Sequence, residues 1–338
     1  MEMVRLPMGK TVPVGIVGTG VYLPDKVLTN VELEQIVDTS DEWIRTRTGI
    51  KERRIVSDDM STSDLAYLAG RNALENAGIL AEEVDLIILA SISSDLPFPA
   101  TACIVQEKLG AKAATAFDIS AGCSGFVFGL AVGSQFIQTG MYNTVLVIGA
   151  EAVSRILNWK DRNTCVLFGD GAGAAVLRKV EAGFGIMSVE LGSDGSGCDL
   201  LKQEAGGTRT PITHVNCQSD EHYLFMAGRE VFKFAVKIMG ECALKALDSA
   251  GLSTKDIDWL IPHQANIRII ESAAKRLELP MEKVFVNIEK YGNTSAASIP
   301  IALHEAYREE KIKKGDVIVL VGFGAGLTWG ASVMRWAI

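Results

Sequence analysis

The stretch ALENAGILAEEVDLII, residues 73–88, returns in altered form as ALDSAGLSTKDIDWLI, residues 246–261, 173 positions further on. A second pair keeps the same spacing: VLVIG ending at Gly149 is matched by IVLVG ending at Gly322. Two separate segments sharing one offset identify an internal duplication. Around them, VDLIILAS (84–91), VLVIGA (145–150), WLIPH (259–263) and VIVLVGF (317–323) are apolar bursts set between helical stretches. Such bursts are the signature of strands covered on both faces, so the expected class is α/β. The chain divides into two related halves, 1–180 and 181–338, meeting across residues 180–225. The part from Gly192 to Glu221 is rich in Gly, Ser and Thr and reads as loop.

Bulk properties narrow the function. With 338 residues the chain can bury a large core, and 48% hydrophobic with 22% charged residues describes an ordinary soluble globular protein. A formal net charge of −8 argues against nucleic acid and against acidic membrane surfaces as partners. No apolar run approaches the ~18 residues of a membrane span. The N-terminal residues read as a short tail before a buried strand, not as a signal peptide. Six scattered cysteines without a CxxC pair give no support to zinc or dithiol chemistry and suit the reducing cytoplasm.

One of those cysteines stands apart. In FDISAGCSGFVFGLAVGSQFIQTG (117–140), Cys123 lies between Gly122 and Ser124 at the mouth of a nearly all-apolar helix. A helix N-terminus favours an anion and raises thiolate character, so the position suits a nucleophile. Of the four histidines, His263 ends a strand in IPHQAN, where α/β active sites open; His214, His222 and His304 read as ordinary surface or core residues. Asn293, in YGNTSAAS (291–298), opens the helix that is the second-half counterpart of the Cys123 helix. Pseudo-symmetric packing of the halves is expected to bring Cys123, His263 and Asn293 to one cleft.

The motifs DISAGCSGF, IPHQANIRI, YGNTSAASIP, VLFGDGAGAAV, SDEWIRTRTGIKERR and GFGAGLTWGA together resemble the β-ketoacyl-acyl-carrier-protein synthase III family of the thiolase-like superfamily, from about Val14 to Ile338. The resemblance implies a duplicated αβαβα fold, a homodimer and the first condensation of type II fatty-acid synthesis. An acyl-CoA primer loads onto the cysteine, and malonyl-acyl carrier protein then condenses with it, releasing CoA and CO2. It implies Cys123, His263 and Asn293 as catalytic residues, and an oxyanion hole from the amides of Cys123 and of the Gly324-Ala325-Gly326 turn. It implies that Thr39, Trp43, Arg47 and Arg162 hold the CoA nucleotide. Gly228, Phe232 and Asn266 would line the pantetheine tunnel and acyl pocket, and Phe98 would reach the partner subunit's pocket. Carrier-protein docking falls to Lys233, Gln264, Arg268, Lys275 and Arg276. The basic spacings Arg229-Lys233-Lys237 and Arg268-Lys275-Arg276 each put positive charge on one helix face, suited to an acidic carrier. Neither metal nor organic cofactor is expected, CoA being part of a substrate.

Other readings fit less well. GIVGTGVYLP (15–24) lacks the third glycine of a dinucleotide fingerprint, and Pro24 disfavours the helix that should follow. A papain-like peptidase orders Cys, His and Asn similarly, but the motif around its cysteine differs. A degradative thiolase needs a second cysteine near the C-terminal glycine loop, and GFGAGLTWGASVMRWAI has none. A non-catalytic scaffold would have no need of all three polar residues. A sister condensing enzyme with a longer or branched primer, or one making a secondary metabolite, stays open. Two departures from the family pattern, Gly122 where alanine is common and Ala325 within a glycine run, flank the expected acyl site.

Overall fold

Along the burst at Leu86–Ala90, alternate side chains go to opposite faces, as a strand requires. Leu86 and Ile88 join one buried cluster, and Ile87 and Leu89 join another. The same division recurs at Val145 and Val147 against Leu146 and Ile148, and at Ile318 and Leu320 against Val319 and Val321. Each strand is therefore apolar on both sides, and both faces of each sheet must be covered.

The computed structural model describes residues 12–213 and 218–338; the expected N-terminal tail at residues 1–11, together with His214 and Cys217, lies outside the described residues. The first half contains β1 (Val14–Tyr22), α1 (Asp41–Thr48), α2 (Thr62–Ala77), β2 (Leu86–Ala90), α3 (Thr101–Leu109), β3 (Thr115–Ile119), α4 (Gly125–Gln138), β4 (Val145–Glu151) and β5 (Gly171–Lys179). The second contains β6 (Gly185–Ser193), α5 (Gly228–Ser249), β7 (Trp259–Pro262), α6 (Ile267–Arg276), α7 (Ser298–Arg308), β8 (Val317–Gly324) and β9 (Thr328–Arg335). The first sheet has the order β1-β5-β4-β2-β3, and the second, read in the same direction, β6-β9-β8-β7. In both, the pair corresponding to β4 and β2, or β8 and β7, is parallel, and the pairs from there toward β1 or β6 are antiparallel; β3 pairs parallel with β2. Among the described residues of the first sheet, β3 alone lacks a second-half strand as counterpart; beside β7 there is a bridge, Leu260 to Val284.

Helices α4 and α7 lie between the sheets, with Phe126, Leu130, Ile299 and Leu303 in the shared central cluster. Helix α2 covers the far face of the first sheet and α5 and α6 the far face of the second. The result is five layers, α/β/α/β/α. The duplication extends to small features. The turns Ala81–Glu83 and Thr254–Asp256 sit 173 positions apart, and each is closed by a carboxylate accepting a backbone N–H, Leu80 to Glu83 at 2.9 Å and Ser253 to Asp256 at 2.8 Å.

The stretch expected to be loop needs a correction. Leu201–Gln203 within it forms a short strand paired antiparallel with Leu224–Met226. The pairing partner lies outside the stretch, so its composition alone carried no sign of it. Among the described residues, no helix is long and apolar enough to cross a membrane.

Candidate active site

Two three-residue turns enter the central layer from opposite sides. Gly122–Ser124 leads into α4, and Ser295–Ala297, again 173 positions on, leads into α7. Cys123 occupies the first turn, and Asn293 sits two residues ahead of the second. His263 follows β7 directly, its N–H bonded to Val321 O at 2.8 Å. Cys123, His263 and Asn293 all line one cavity of about 750 Å³. The backbones around the cysteine are in close approach: a Cβ on Gly324 would lie 2.3 Å from Cys123 N, and one on Gly122 2.5 Å from Ala325 N. Gly122 also has φ +54, so alanine there would be both strained and crowded. Ala325 itself does not line the cavity; its backbone abuts Gly122, next to the nucleophile.

The electrostatics of Cys123 differ from the sequence-based expectation of raised thiolate character. The side chain is buried, and loss of solvent pushes its thiol up to about 12. The Ser295 hydroxyl beside it opposes this, and the charge of Glu151 adds to it. A helix N-terminus contributes about 0.3–1 kcal/mol, less than the cost of ionising a thiol shut off from water. Cys123 is thus a protonated thiol at rest and must lose its proton as it attacks.

His263 is equally enclosed, and burial lowers its pKa to about 3, so the ring is neutral. Its Nδ1 lies 2.6 Å from Ser298 Oγ, which also accepts the Gln264 N–H at 3.4 Å. Among the described residues, Nδ1 is the one acceptor within reach of the Ser298 hydroxyl proton, which makes Ser298 the donor. This selects the tautomer with Nε2–H, leaving a neutral donor. Phe323 packs edge-on against the imidazole with 5.5 Å between ring centroids. Asn293 is pinned by the first half: its N–H donates to Leu167 O at 2.8 Å and its carbonyl accepts from Gly169 N at 3.1 Å. Its side-chain Oδ1 accepts the Ser295 N–H at 2.9 Å.

At the cavity mouth Trp43 lies between two guanidinium groups, Arg47 and Arg162, each 5.3 Å from the ring centroid. Asn266 caps α6 by accepting the Arg268 N–H at 2.9 Å, and donates to Arg47 O at 3.0 Å, tying the last turn of α1 to the second half. Gly228, Phe232, Lys233 and Arg268 also line the cavity, and Arg268 sits 5.7 Å over the Phe232 ring. Thr39 does not line it: it lies in the loop before α1, its hydroxyl enclosed and, among the described residues, without a hydrogen-bond partner. Phe98 is 84% exposed and outside the cavity of its own chain.

The docking group needs revision. Gln264 is 1% exposed; its amide donates to Pro262 O and Phe285 O and accepts the Asn287 N–H. A side chain so enclosed cannot meet a carrier protein, and its role is to brace the His263 loop. Arg276 is exposed but paired with Glu241 at 3.0 Å, its stem lying against Gly240. Lys275 remains on the surface, sharing a shallow groove with Phe232, Val236 and Arg268. Sequence reasoning passed over Ser298 and the apolar wall from Val166 to Phe168, although both lie inside quoted motifs. Their proximity to the site depends on contacts between halves.

Comparison with known proteins agrees with this geometry. The family models for 3-oxoacyl-[acyl-carrier-protein] synthase III and for its C-terminal region match residues 117–195 and 247–336. The chain is 59% identical over 330 residues to a β-ketoacyl-[acyl-carrier-protein] synthase III of Caldanaerobacter subterraneus, covering 98% of this chain and 100% of that one. It superimposes on the crystal structure of 3-oxoacyl-[acyl-carrier-protein] synthase III from Aquifex aeolicus with TM-score 0.89 at 51% identity, over 96% of this chain and 100% of that one. A priming β-ketosynthase from the R1128 polyketide pathway is similar at 33% identity and TM-score 0.90, over 99% of each chain. A cysteine, a neutral imidazole and an oriented amide converge on one tunnel within a duplicated five-layer fold, and the sequence matches run nearly end to end: the chain belongs to the β-ketoacyl-acyl-carrier-protein synthase III family.

Proposed function

We propose that this enzyme loads an acyl group from an acyl-CoA primer onto Cys123 and condenses it with malonyl-acyl carrier protein, the initiating step of fatty-acid synthesis. The observation that carries the reading is the convergence of Cys123, His263 and Asn293 on one cavity. In the first half-reaction Cys123 Sγ attacks the thioester carbonyl. The C–S bond to CoA breaks, and the proton lost by the cysteine ends on the departing CoA thiolate. The close Cys123–Ala325 backbone pair supports an oxyanion hole for the tetrahedral intermediate.

In the second half-reaction the malonyl carboxylate leaves as CO2, and its electron pair passes into an enolate. Neutral His263 and the Asn293 amide donate hydrogen bonds to the enolate oxygen. The enolate carbon then attacks the acyl-cysteine carbonyl, and the cysteine thiolate leaves and regains a proton. A neutral donor suits this step because its hydrogen bond strengthens as charge develops on the oxygen.

Trp43, Arg47 and Arg162 form an aromatic and cationic mouth suited to the adenine and phosphates of CoA. Arg268, Lys233 and Lys275 offer the positive face for an acidic carrier protein. Strand β3 is the open edge of its sheet, and exposed Phe98 precedes α3, whose first amides bond to Asp118 of β3 at 2.7 and 2.8 Å. An unpaired edge beside an exposed aromatic supports a homodimer formed there. The test is a condensation assay with malonyl-acyl carrier protein and a series of acyl-CoA primers, from acetyl through branched to long chains. Turnover of short primers with release of CO2 is expected; no condensation with any primer would refute the reading.

A further inference from the structure

Glu151 closes β4 with no exposure to solvent and does not line the cavity. An acid ending an otherwise apolar strand contributes little to packing, and burial raises its pKa. Its oxygens collect donors from both halves of the chain. From the first come Ser91 Oγ–H at 3.1 Å, Ser93 Oγ–H at 2.5 Å and Ile92 N–H at 3.1 Å. From the second come Ser295 Oγ–H at 2.8 Å and, more weakly, Ala296 N–H at 3.5 Å.

Ser295 connects this network to the reaction. Its backbone is left-handed, φ +49, a region serine seldom enters. The duplicate position in the first half is Gly122, with φ +54. The same turn is thus made by glycine in one half, where it carries no strain, and in the other by a serine whose hydroxyl is anchored to a carboxylate. The turn has a consequence for Asn293. The Ser295 N–H reaches Oδ1 at 2.9 Å, which fixes the amide orientation and leaves Nδ2–H2 as the end available to the cavity.

We propose that Glu151 is a positioning residue for the condensation half-reaction. Through Ser295 it holds the left-handed turn whose N–H orients the Asn293 amide, so a carboxylate outside the cavity sets the direction of an enolate donor. The inference rests on Asn293 being that donor.

The test uses the full-length enzyme with separate measurements of acetyl transfer to Cys123 by intact mass, malonyl-acyl carrier protein decarboxylation and thermal unfolding. Glu151→Gln presents an NH2 to groups that are all donors. It should lower kcat for decarboxylation about 10- to 100-fold, as a misplaced reacting group does, with KM and acetyl transfer little changed. Ser295→Ala keeps the Cβ strain and loses the anchor, and should lower decarboxylation by a similar factor; its loading rate is not diagnostic, because the hydroxyl also lies against Cys123. Ser295→Gly enters the left-handed region unaided and keeps the backbone N–H, so it should decarboxylate near the wild-type rate and should partly rescue decarboxylation in Glu151→Gln. Should Glu151→Gln fail to fold, the Ser295 pair carries the test. Equal losses of decarboxylation in Ser295→Ala and Ser295→Gly would overturn the proposal, as would parallel losses of loading and decarboxylation in Glu151→Gln. Wild-type decarboxylation by Glu151→Gln and Ser295→Ala, with Asn293→Ala impaired, overturns the inference and leaves the proposed function standing. Wild-type decarboxylation by Asn293→Ala overturns the role of Asn293 itself.

Discussion

The two junctions at the centre of the molecule share a backbone plan and differ in chemistry. At one, the end of β8 meets the Gly122–Ser124 turn; at the other, the end of β4 meets Ser295–Ala297. Gly324 and Glu151 occupy duplicate positions, as do Cys123 and Ala296, and His263 and Ala90. Where the strand ends in Gly324, the backbone comes close enough to bear directly on Cys123 N. Where it ends in Glu151, a buried carboxylate binds Ser295. One junction presents a desolvated thiol and the other a set of hydrogen-bond donors. On the proposed roles, unlike residues at matched positions divide the reaction between the two junctions.

The division is tested most severely by Cys123→Ser, which should abolish acyl loading and condensation, a loss of at least about 10³-fold. Mass mapping after incubation with radiolabelled acetyl-CoA should find the label on Cys123 alone, whereas a neutral alkylating reagent should label exposed Cys103 and Cys198 first. Acetyl label on Cys103, Cys165 or Cys242 would break the comparison at its first term.

Of the proposed enolate donors, Asn293 belongs to the second junction and His263 follows β7 beside the first. His263→Ala and Asn293→Ala should each lower malonyl decarboxylation about 10²–10³-fold, as loss of an oxyanion donor does. Both should still accept acetyl from acetyl-CoA. Loss of loading with decarboxylation intact in both would mean that the roles assigned to these residues are reversed.

A smaller effect sharpens the contrast. An added Cβ at Gly324 meets Cys123 N at 2.3 Å, and one at Gly149 meets Ala296 O at 2.2 Å. Both alanine variants should unfold more easily, by about 1–3 kcal/mol. Gly324→Ala should mainly slow loading and Gly149→Ala mainly slow decarboxylation. Identical kinetic profiles would show that the junctions do not act separately.

The smallest expected effect is the absence of one. With its pKa near 3, His263 stays neutral across physiological pH, so decarboxylation should show no step near pH 6.5. Stability carries the complementary sign. The unfolded chain takes up the His263 proton as pH falls through about 6.5, while the folded one does so only near 3. This contribution is therefore complete above about 6.5 and declines as pH drops toward 3. Denaturant midpoints at pH 7 and pH 5 for wild type and His263→Ala measure it; a decarboxylation profile with an inflection near 6.5 would mean that a charged imidazole takes part.

Much of this was legible in the sequence. The 173-residue offset announced two halves, and the apolar bursts marked β2, β4, β7 and β8 to within two residues. Strand alternation and helix periodicity are local patterns, so a local reading finds them. Cys123, His263 and Asn293 could be named because each stands out against its own neighbours. The strand at Leu201–Gln203 was missed because a strand this short is defined by its partner.

What the sequence by itself determined was the duplication, the α/β class and the residue types available for catalysis. Only the tertiary structure decided how those residues behave. It placed Gln264 inside instead of at a docking surface, reversed the expected thiolate character of Cys123, and brought Glu151 to Ser295 across 144 positions. Burial and long-range hydrogen bonding arise from how layers pack, and desolvation outweighs the local helix-terminus effect wherever packing excludes water. No window along the chain contains that information, because the groups that exclude the water come from the other half.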